Sequence, residues 1–223
     1  MQELRVSEQD ALAVVAHEMA GPLQVLALQL ATLRERSTVH ETPHLSRMAR
    51  AIDALRLLAR DLLDGDRISA GTFELECGQH DLGMIVRDVV ASFGEAAARR
   101  GIALSATVPA YLIVHCDALR IAQVLHNIVA NALKFSPTGA SVEVRVRRVG
   151  NEVVVAVRDA GPGIAPEHRQ RIFEPRWQVP GERRGHGLGL FVARQLVQAH
   201  RGHIWVEGAA QGGTTIAFSL PCD

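Results

Sequence analysis

The sequence predicts an α+β protein in which an N-terminal antiparallel helical hairpin precedes a mixed domain of strands and helices. Two patterns predict this class. Apolar residues recur at spacings of three and four over the first third of the chain, which is the period of an α-helix. From about Phe73 short alternating strands are interleaved with helices, which is typical of helices layered on a sheet. The expected domains are residues 1–66 and 67–223.

The hairpin is predicted from two amphipathic helices and the short link at 37–43, which favours antiparallel packing. Asp64-Gly65-Asp66 is expected to end the second helix. A lone hairpin buries one seam only, so we expect a homodimer in which two hairpins form a four-helix bundle. The apolar positions are Leu12, Val15, Met19, Leu23, Leu26, Leu30 and Leu33 on the first helix, and Leu45, Met48, Ile52, Leu55, Ala59 and Leu62 on the second.

Local signals predict the elements of the second domain. Asp117 is a plausible N-cap for one helix, and Gly150-Asn151 joins two alternating strands as a hairpin. The expected helices span 82–99, 118–135 and 187–199, and the expected strands span 73–82, 102–109, 142–149, 152–159, 203–209 and 214–220.

Composition excludes several classes of function. The chain has 223 residues, of which 48% are hydrophobic, and its 24 basic and 24 acidic residues balance. The balance argues against a broad electrostatic surface for nucleic acid or anionic lipid. Residues 11–33 are apolar enough to suggest a membrane span, but His17, Glu18 and Gln24 near the middle disfavour one. Three dispersed cysteines and an acidic start without a signal peptide indicate a cytoplasmic protein.

The segment AHEMAGPLQVL, residues 16–26, interrupts the first helix with Gly21-Pro22. Pro22 cannot donate a backbone hydrogen bond to the carbonyl of Glu18, so the helix should loosen just past His17. Either the irregularity is tolerated in a core helix, or the helix displays the imidazole.

Four segments of the second domain carry polar or glycine-rich patterns. In NIVANALKFSP (127–137), two asparagines one turn apart and a lysine suit Mg²⁺ and phosphate, or are surface residues of a helix. DAGPGI (159–164) follows a strand and is either a carboxylate site or a plain turn. GHGLGL (185–190) precedes a helix, where glycines let backbone amides approach phosphate, or is a flexible connector. GGTT (212–215) alone is an ordinary turn.

Together, in this order, the segments resemble the sensor histidine kinases over about Ser7 to Leu220. AHEMAGPL resembles their phospho-acceptor box, QVLHNIVANALKFSP the N box, DAGPGI and GHGLGL the two glycine boxes, and IFEP (172–175) the start of the F box. The resemblance implies an α/β-sandwich ATP-binding domain of the histidine kinase and chaperone ATPase type.

The resemblance also implies roles for single residues. His17 would accept the phosphoryl group, and Glu18 would act as its base or orient the ring. Asn131 would ligate Mg²⁺ with Asn127 nearby. Lys134 and Asp159 would contact, respectively, the phosphates and the adenine amine. The pocket and its lid would be formed by Gly161, Gly163, Ile164, Gly185, Gly187, Leu188, Gly189 and Thr214.

The implied activity is ATP-dependent autophosphorylation of His17, followed by transfer to an aspartate of a response-regulator receiver domain. ATP and Mg²⁺ are the implied cofactors. A separate sensor subunit or a missing sensor domain would supply the stimulus. Two alternatives remain. The first is a sensorless or degenerate kinase that acts mainly as a nucleotide-binding scaffold for a regulator. The second is a related ATPase such as a protein serine kinase, for which His17 would be dispensable.

Two departures from the family pattern carry expectations. Three and four residues after His17, where the family has a basic and then a polar residue, stand Ala20 and Gly21. Glycine cannot orient a water, so we expect this protein to accelerate receiver dephosphorylation weakly or not at all; rapid stimulated dephosphorylation would contradict this. The predicted lid, from about Pro175 to Gly185, is short. Either one of Arg176, Arg183 and Arg184 reaches the γ-phosphate, or all three form a solvated surface.

Overall fold

The computed structural model describes residues 23–26, 28, 48, 52, 55, 74–178, 187–208 and 212–222. The chain divides into two compact units, Met1–Phe73 and Glu74–Asp223. The domain boundary expected between residues 66 and 67 stays a prediction. Within the described part of the chain, no helix combines the length and the apolar composition that a membrane crossing requires.

All described residues of the first unit are helical. Leu23 and Ile52, each on a predicted apolar seam, are buried with 5% and 8% of their surface exposed. Three further seam residues, Leu26, Met48 and Leu55, are exposed by 48%, 54% and 40%. The single chain therefore buries only part of the two seams that the sequence contains.

The second unit contains four helices and seven strands within its described residues. In chain order they are β1 (Gly78–Asp81), α1 (Leu82–Ser92), α2 (Gly94–Arg99), β2 (Ala103–Thr107), β3 (Ile113–Cys116), α3 (Ala118–Phe135), β4 (Ser141–Val149), β5 (Glu152–Asp159), α4 (Gly189–Ala199), β6 (His203–Gly208) and β7 (Thr214–Pro221). Two short 3₁₀ turns, Pro166–His168 and Arg171–Phe173, lie between β5 and α4.

Five strands form the main sheet in the order β2-β4-β5-β7-β6, in which only the β2–β4 pair is parallel. β1 and β3 form a separate antiparallel pair. Helix α3 packs against α1, α4 and β5, so helices cover one face of the sheet. Alternate residues of β4 and β5 point into this layer and are fully buried, as the alternation in the sequence predicts: Val142, Val144, Val153, Val155 and Val157.

Helix α3 has the predicted bounds because Asp117 caps it. The Asp117 carboxylate accepts hydrogen bonds from the backbone nitrogens of Leu119 and Arg120, both at 3.1 Å. These are two of the donors that a helix N-terminus leaves without partners. The predicted hairpin at Gly150-Asn151 is also confirmed, since β4 and β5 pair antiparallel across it.

His200 connects the start of α3 to the end of α4. Its Nε2 accepts from the backbone nitrogen of Asp117 at 3.0 Å, and its Nδ1 donates to the carbonyl of Leu196 at 2.7 Å. Burial lowers the pKa of His200. The neutral ring fits this arrangement, because a protonated ring has no nitrogen that can accept.

The helix predicted over 82–99 is broken at Phe93, whose backbone N–H turns back to Val90 at 3.2 Å. Gly94, a poor helix former, begins the next helix, and the Phe93 ring packs on His126 of α3 with ring centroids 4.6 Å apart. Tertiary packing of the aromatic ring therefore sets the position of the break.

The strand predicted over 73–82 is shorter, and the four-residue β3 was not predicted at all. Both differences follow from the short pairing of β1 with β3. The β1–β3 ladder ends at the Gly78–Cys116 pair, and beyond it the Glu76 N–H bonds to the Asp117 carboxylate at 3.0 Å rather than to a strand. The helix predicted from 187 begins at Gly189.

Candidate functional site

Asp159 is the last residue of β5 and only 8% of its surface is exposed. Its Oδ1 accepts from the backbone nitrogens of Gly161 at 2.8 Å and Thr214 at 3.2 Å. Burial raises the pKa of Asp159, and the two backbone N–H groups lower it by less. Both hydrogen bonds go to Oδ1, so Oδ2 has no hydrogen-bond partner among the described residues. The carboxylate is thus held rigidly with one acceptor oxygen available.

Glycines let the backbone pack closely around this carboxylate. A Cβ on Gly161 would lie 2.9 Å from Asp159 Oδ1 and 3.1 Å from the carbonyl oxygen of Phe135. Gly163 has a φ of +85°, and a Cβ there would approach the Gly213 carbonyl at 3.3 Å. Gly213 has a φ of +88°, and a Cβ there would overlap the carbonyl oxygen of Asp159. The GGTT segment is therefore part of the site rather than an ordinary turn.

A groove of about 530 Å³ opens beside residues 160–164, the glycine loop that follows Asp159. One wall is the end of α3 and the residues after it, 134–138, and the other is residues 160–162. Lys134 lines this groove, with its Nζ 4.6 Å from the centre of the Phe135 ring. Arg100 stands at the same groove. The structure thus brings a lysine of the predicted N box and Gly161 of the first glycine box to one cavity.

Asn127 joins α3 to the start of α4. It is buried, with 5% of its surface exposed, and its Nδ2 donates to the carbonyl of Gly189 at 3.0 Å. A Cβ on Gly189 would lie 3.3 Å from the Asn127 amide, so a larger residue there would have to displace this side chain by a few tenths of an ångström. Leu188 is the N-cap residue of α4, and its carbonyl accepts from Val192 at 2.9 Å.

Gly187 and Arg176 meet at the base of the predicted lid. The Arg176 N–H donates to the Gly187 carbonyl at 2.9 Å, and both residues have positive φ, +60° for Arg176 and +68° for Gly187. A Cβ on Gly187 would lie 2.7 Å from the Arg176 carbonyl carbon.

Arg169 also supports the glycine loop, because its Nε donates to the carbonyl of Ile164 at 3.3 Å.

Asn131 lies one turn beyond Asn127 on α3, is partly exposed, and makes no side-chain hydrogen bond to another described residue. Among the described residues, no three His, Cys, Asp or Glu side chains cluster as a metal site. A lone amide oxygen fits Mg²⁺ only if phosphates and waters complete the coordination, which is how Mg²⁺ usually binds with nucleotides. Asn131 therefore fits a nucleotide-borne Mg²⁺.

Three predicted site residues, His17, Glu18 and Gly185, lie outside the described residues, as do the lid residues Arg183 and Arg184. Three residues at the site were not singled out from the sequence: Phe135, Gly213 and Arg100. Phe135 and Gly213 lie inside the segments NIVANALKFSP and GGTT, so the patterns of these segments could have pointed to both residues. Arg100 stands in none of the noted segments.

Comparison with known proteins shows the family. A family model described as "Histidine kinase-, DNA gyrase B-, and HSP90-like ATPase" matches residues 116–223. The adaptive-response sensory kinase SasA of Prochlorococcus marinus is 34% identical over 226 residues, covering 96% of this chain. The chain contains the catalytic core of a sensor histidine kinase. The predicted recognition is thereby confirmed, as is the predicted α+β class with a sheet-based ATP-binding domain. The link and the ends of the predicted N-terminal hairpin lie outside the described residues, and its four-helix bundle stays a prediction.

Solved structures resemble this histidine kinase core. Full-length ShkA in complex with AMPPNP shares 28% identity with a TM-score of 0.73, over 95% of this chain and 45% of the ShkA chain. Histidine kinase ThkA in complex with the response regulator protein TrrA matches with a TM-score of 0.63 at 25% identity, over 100% of this chain and 64% of that chain. This chain spans 57% of the length of SasA.

Proposed function

We propose that this protein is an ATP-dependent histidine kinase that phosphorylates His17 and passes the phosphoryl group to a receiver aspartate. The observation that carries the proposal is the buried Asp159 carboxylate, held by Gly161 and Thr214 beside an open groove. A rigid, buried acceptor suits recognition of the adenine amine, since a hydrogen bond to a buried carboxylate is stronger than one in bulk water.

The described residues divide the binding of ATP among them. Asp159 Oδ2 accepts from the exocyclic amine of adenine, and the turns at Gly161 and Gly163 keep the ring close to the backbone. Lys134, at the opposite wall of the groove, contacts the phosphates. Gly185, Gly187, Leu188 and Gly189 precede or begin α4, where the helix N-terminus favours negative charge. Asn127 acts by positioning the start of α4.

Mg²⁺ held by Asn131 together with ATP would neutralise phosphate charge. One ring nitrogen of His17 attacks the γ-phosphorus, and the other carries the proton that the ring must lose. Glu18 either accepts this proton as a base or accepts a hydrogen bond from that N–H and so sets the tautomer. The bond from that phosphorus to the bridging oxygen breaks, and ADP leaves. Most of the rate enhancement then comes from positioning and charge stabilisation.

The partners follow from the helical unit. The exposed Leu26, Met48 and Leu55 lie on the predicted seams, and a second hairpin would cover them in a homodimer. The same hairpin presents His17 to a receiver domain. ThkA, a structural relative, was solved with the response regulator TrrA, which supports this class of partner. We place the protein in the cytoplasm, with its stimulus supplied by a sensor domain or a separate sensor subunit.

The proposal is tested by incubating the chain with γ-labelled ATP and Mg²⁺. We expect label that is stable in base and lost in acid, because an N–P bond has this stability profile and neither a phosphate ester of serine or threonine nor an acyl phosphate has it. We expect no label in His17→Ala, which assigns the N–P bond to this imidazole. His40→Ala, in the predicted interhelical link, is the control and should label like the wild type. Full labelling of His17→Ala, or label that survives acid, would overturn the proposal.

A further inference from the structure

The C-terminus of α3 is held by a side chain from elsewhere in the chain. The Arg100 guanidinium donates to the backbone carbonyls of Leu133, Lys134 and Ser136, the last two at 3.4 and 3.2 Å. The last four carbonyls of a helix have no partner within the helix and carry partial negative charge. A planar guanidinium, with five donors in a rigid fork, spans such a cluster of acceptors better than the compact ammonium of a lysine does.

The backbone next to Arg100 grips the same stretch. The Gly101 carbonyl accepts from the Gly139 N–H at 2.9 Å, and the Ala103 N–H donates to the Ala140 carbonyl at 2.9 Å. Residues 100–103 therefore hydrogen-bond to residues 133–140, the segment that begins at the end of α3, and the contacts of Arg100 are the first of this series.

That stretch is one wall of the groove. Residues 134–138 line the groove, and the guanidinium holds carbonyls on both sides of Phe135. The opposite wall is close: a Cβ on Gly161 would lie 3.1 Å from the Phe135 carbonyl oxygen. The spacing between the walls therefore leaves little room for movement at the end of α3, and a shift there changes the shape of the groove.

We propose that Arg100 is a positioning residue for nucleotide binding: it holds the last turn of α3 so that Lys134 and Phe135 stand at the groove. The inference rests on the proposed function, since it assumes that the groove takes ATP. Arg100 acts through the backbone of α3 and does not itself react. Its side chain is exposed, so its removal should perturb the groove without unfolding the domain.

The test compares Arg100→Ala with Arg100→Lys in the full chain. Arg99→Ala is the matched control, because Arg99 is adjacent and is ion-paired with Glu95 on the surface of α2. The readouts are the Kd for ATP with Mg²⁺ by calorimetry, KM and kcat of autophosphorylation, and amide hydrogen exchange over residues 132–136. A residue that only stabilised the fold would reduce the active fraction, and hence kcat, and would leave the Kd of the folded molecules unchanged.

For Arg100→Ala we expect Kd and KM for ATP to rise about tenfold, which corresponds to the loss of roughly one charge-assisted hydrogen bond. We expect kcat to stay within about twofold of the wild-type value. Amide exchange in the last turn of α3 should accelerate. Arg100→Lys should recover part of the loss, and Arg99→Ala should change nothing. An unchanged Kd in Arg100→Ala, or an equal rise in Arg99→Ala, would overturn the inference.

The two proposals fail in different ways. A wild-type chain that binds ATP but does not label His17 would contradict the kinase proposal, while the Kd comparison would still decide the role of Arg100. A chain that labels His17 but has the same Kd with and without Arg100 would reject only the positioning role. A wild-type chain that does not bind ATP would reject both.

Discussion

Asp159→Asn is expected to weaken ATP binding by about 100-fold or more while leaving the domain at least as stable as the wild type. In the wild type, Oδ1 accepts from Gly161 and Thr214, and Oδ2 remains for the adenine amine. In the variant the remaining oxygen keeps the two backbone donors, so the new Nδ2 faces the amine. Two donors then oppose each other, and the hydrogen bond to a charged acceptor is lost.

The stability side of this prediction follows from the pKa of Asp159, which burial raises above the ordinary value of 3.8. A raised pKa in the folded state means that folding favours the protonated carboxyl. The stabilising contribution is complete below the unfolded-state pKa and is lost as the pH rises through the folded-state pKa. Asparagine has no such titration. The variant should therefore become more stable relative to the wild type as the pH rises through this window.

Calorimetric ATP titration and urea unfolding at several pH values check the two halves. Asp88→Asn, at an exposed position on α1, is the control and should change neither quantity. The preference for ATP over GTP should also shrink in Asp159→Asn, because Nδ2 can donate to the keto oxygen of guanine. Unchanged ATP affinity in Asp159→Asn would remove the main support for the nucleotide site.

Gly213→Ala is expected to lower the free energy of unfolding by about 3 kcal/mol or more, whereas Gly212→Ala should cost about 1 kcal/mol. The two glycines have nearly the same φ, +88° and +85°. A Cβ on Gly212 meets nothing within 4 Å, but a Cβ on Gly213 overlaps the carbonyl oxygen of Asp159. The neighbouring pair therefore separates the cost of a left-handed backbone from the cost of a steric clash.

The displaced backbone should also disturb Asp159, whose Oδ1 accepts from Thr214, the residue after Gly213. ATP affinity should therefore fall in Gly213→Ala and stay near the wild-type value in Gly212→Ala. Urea denaturation and ATP titration of both variants make the measurement. Equal destabilisation by the two substitutions would show that the contact with Asp159 carries no cost.

Much of the domain follows from local sequence. The Asp117 cap and the apolar period of α3 predict that helix with its bounds, because the carboxylate bonds to backbone donors two and three residues away. Gly150-Asn151 predicts the β4–β5 hairpin for the same reason, since turn and strands are adjacent in the chain. The local sequence does not predict the break at Phe93, because that break depends on packing against the His126 ring of α3. It does not predict β3 either, because that strand exists only through its four-residue pairing with β1.

The sequence by itself determined which residue types the site uses: Asn127, Asn131, Lys134 and Asp159 stand out together with the glycines around them. Only the tertiary structure decided how these residues are held. Asp159 is bound by Thr214, Asn127 by Gly189, and the end of α3 by Arg100, over separations of 55, 62 and 33 to 36 residues. The physical reason is range: caps and turns are made between near neighbours, whereas these contacts exist only once the sheet and its helices have packed.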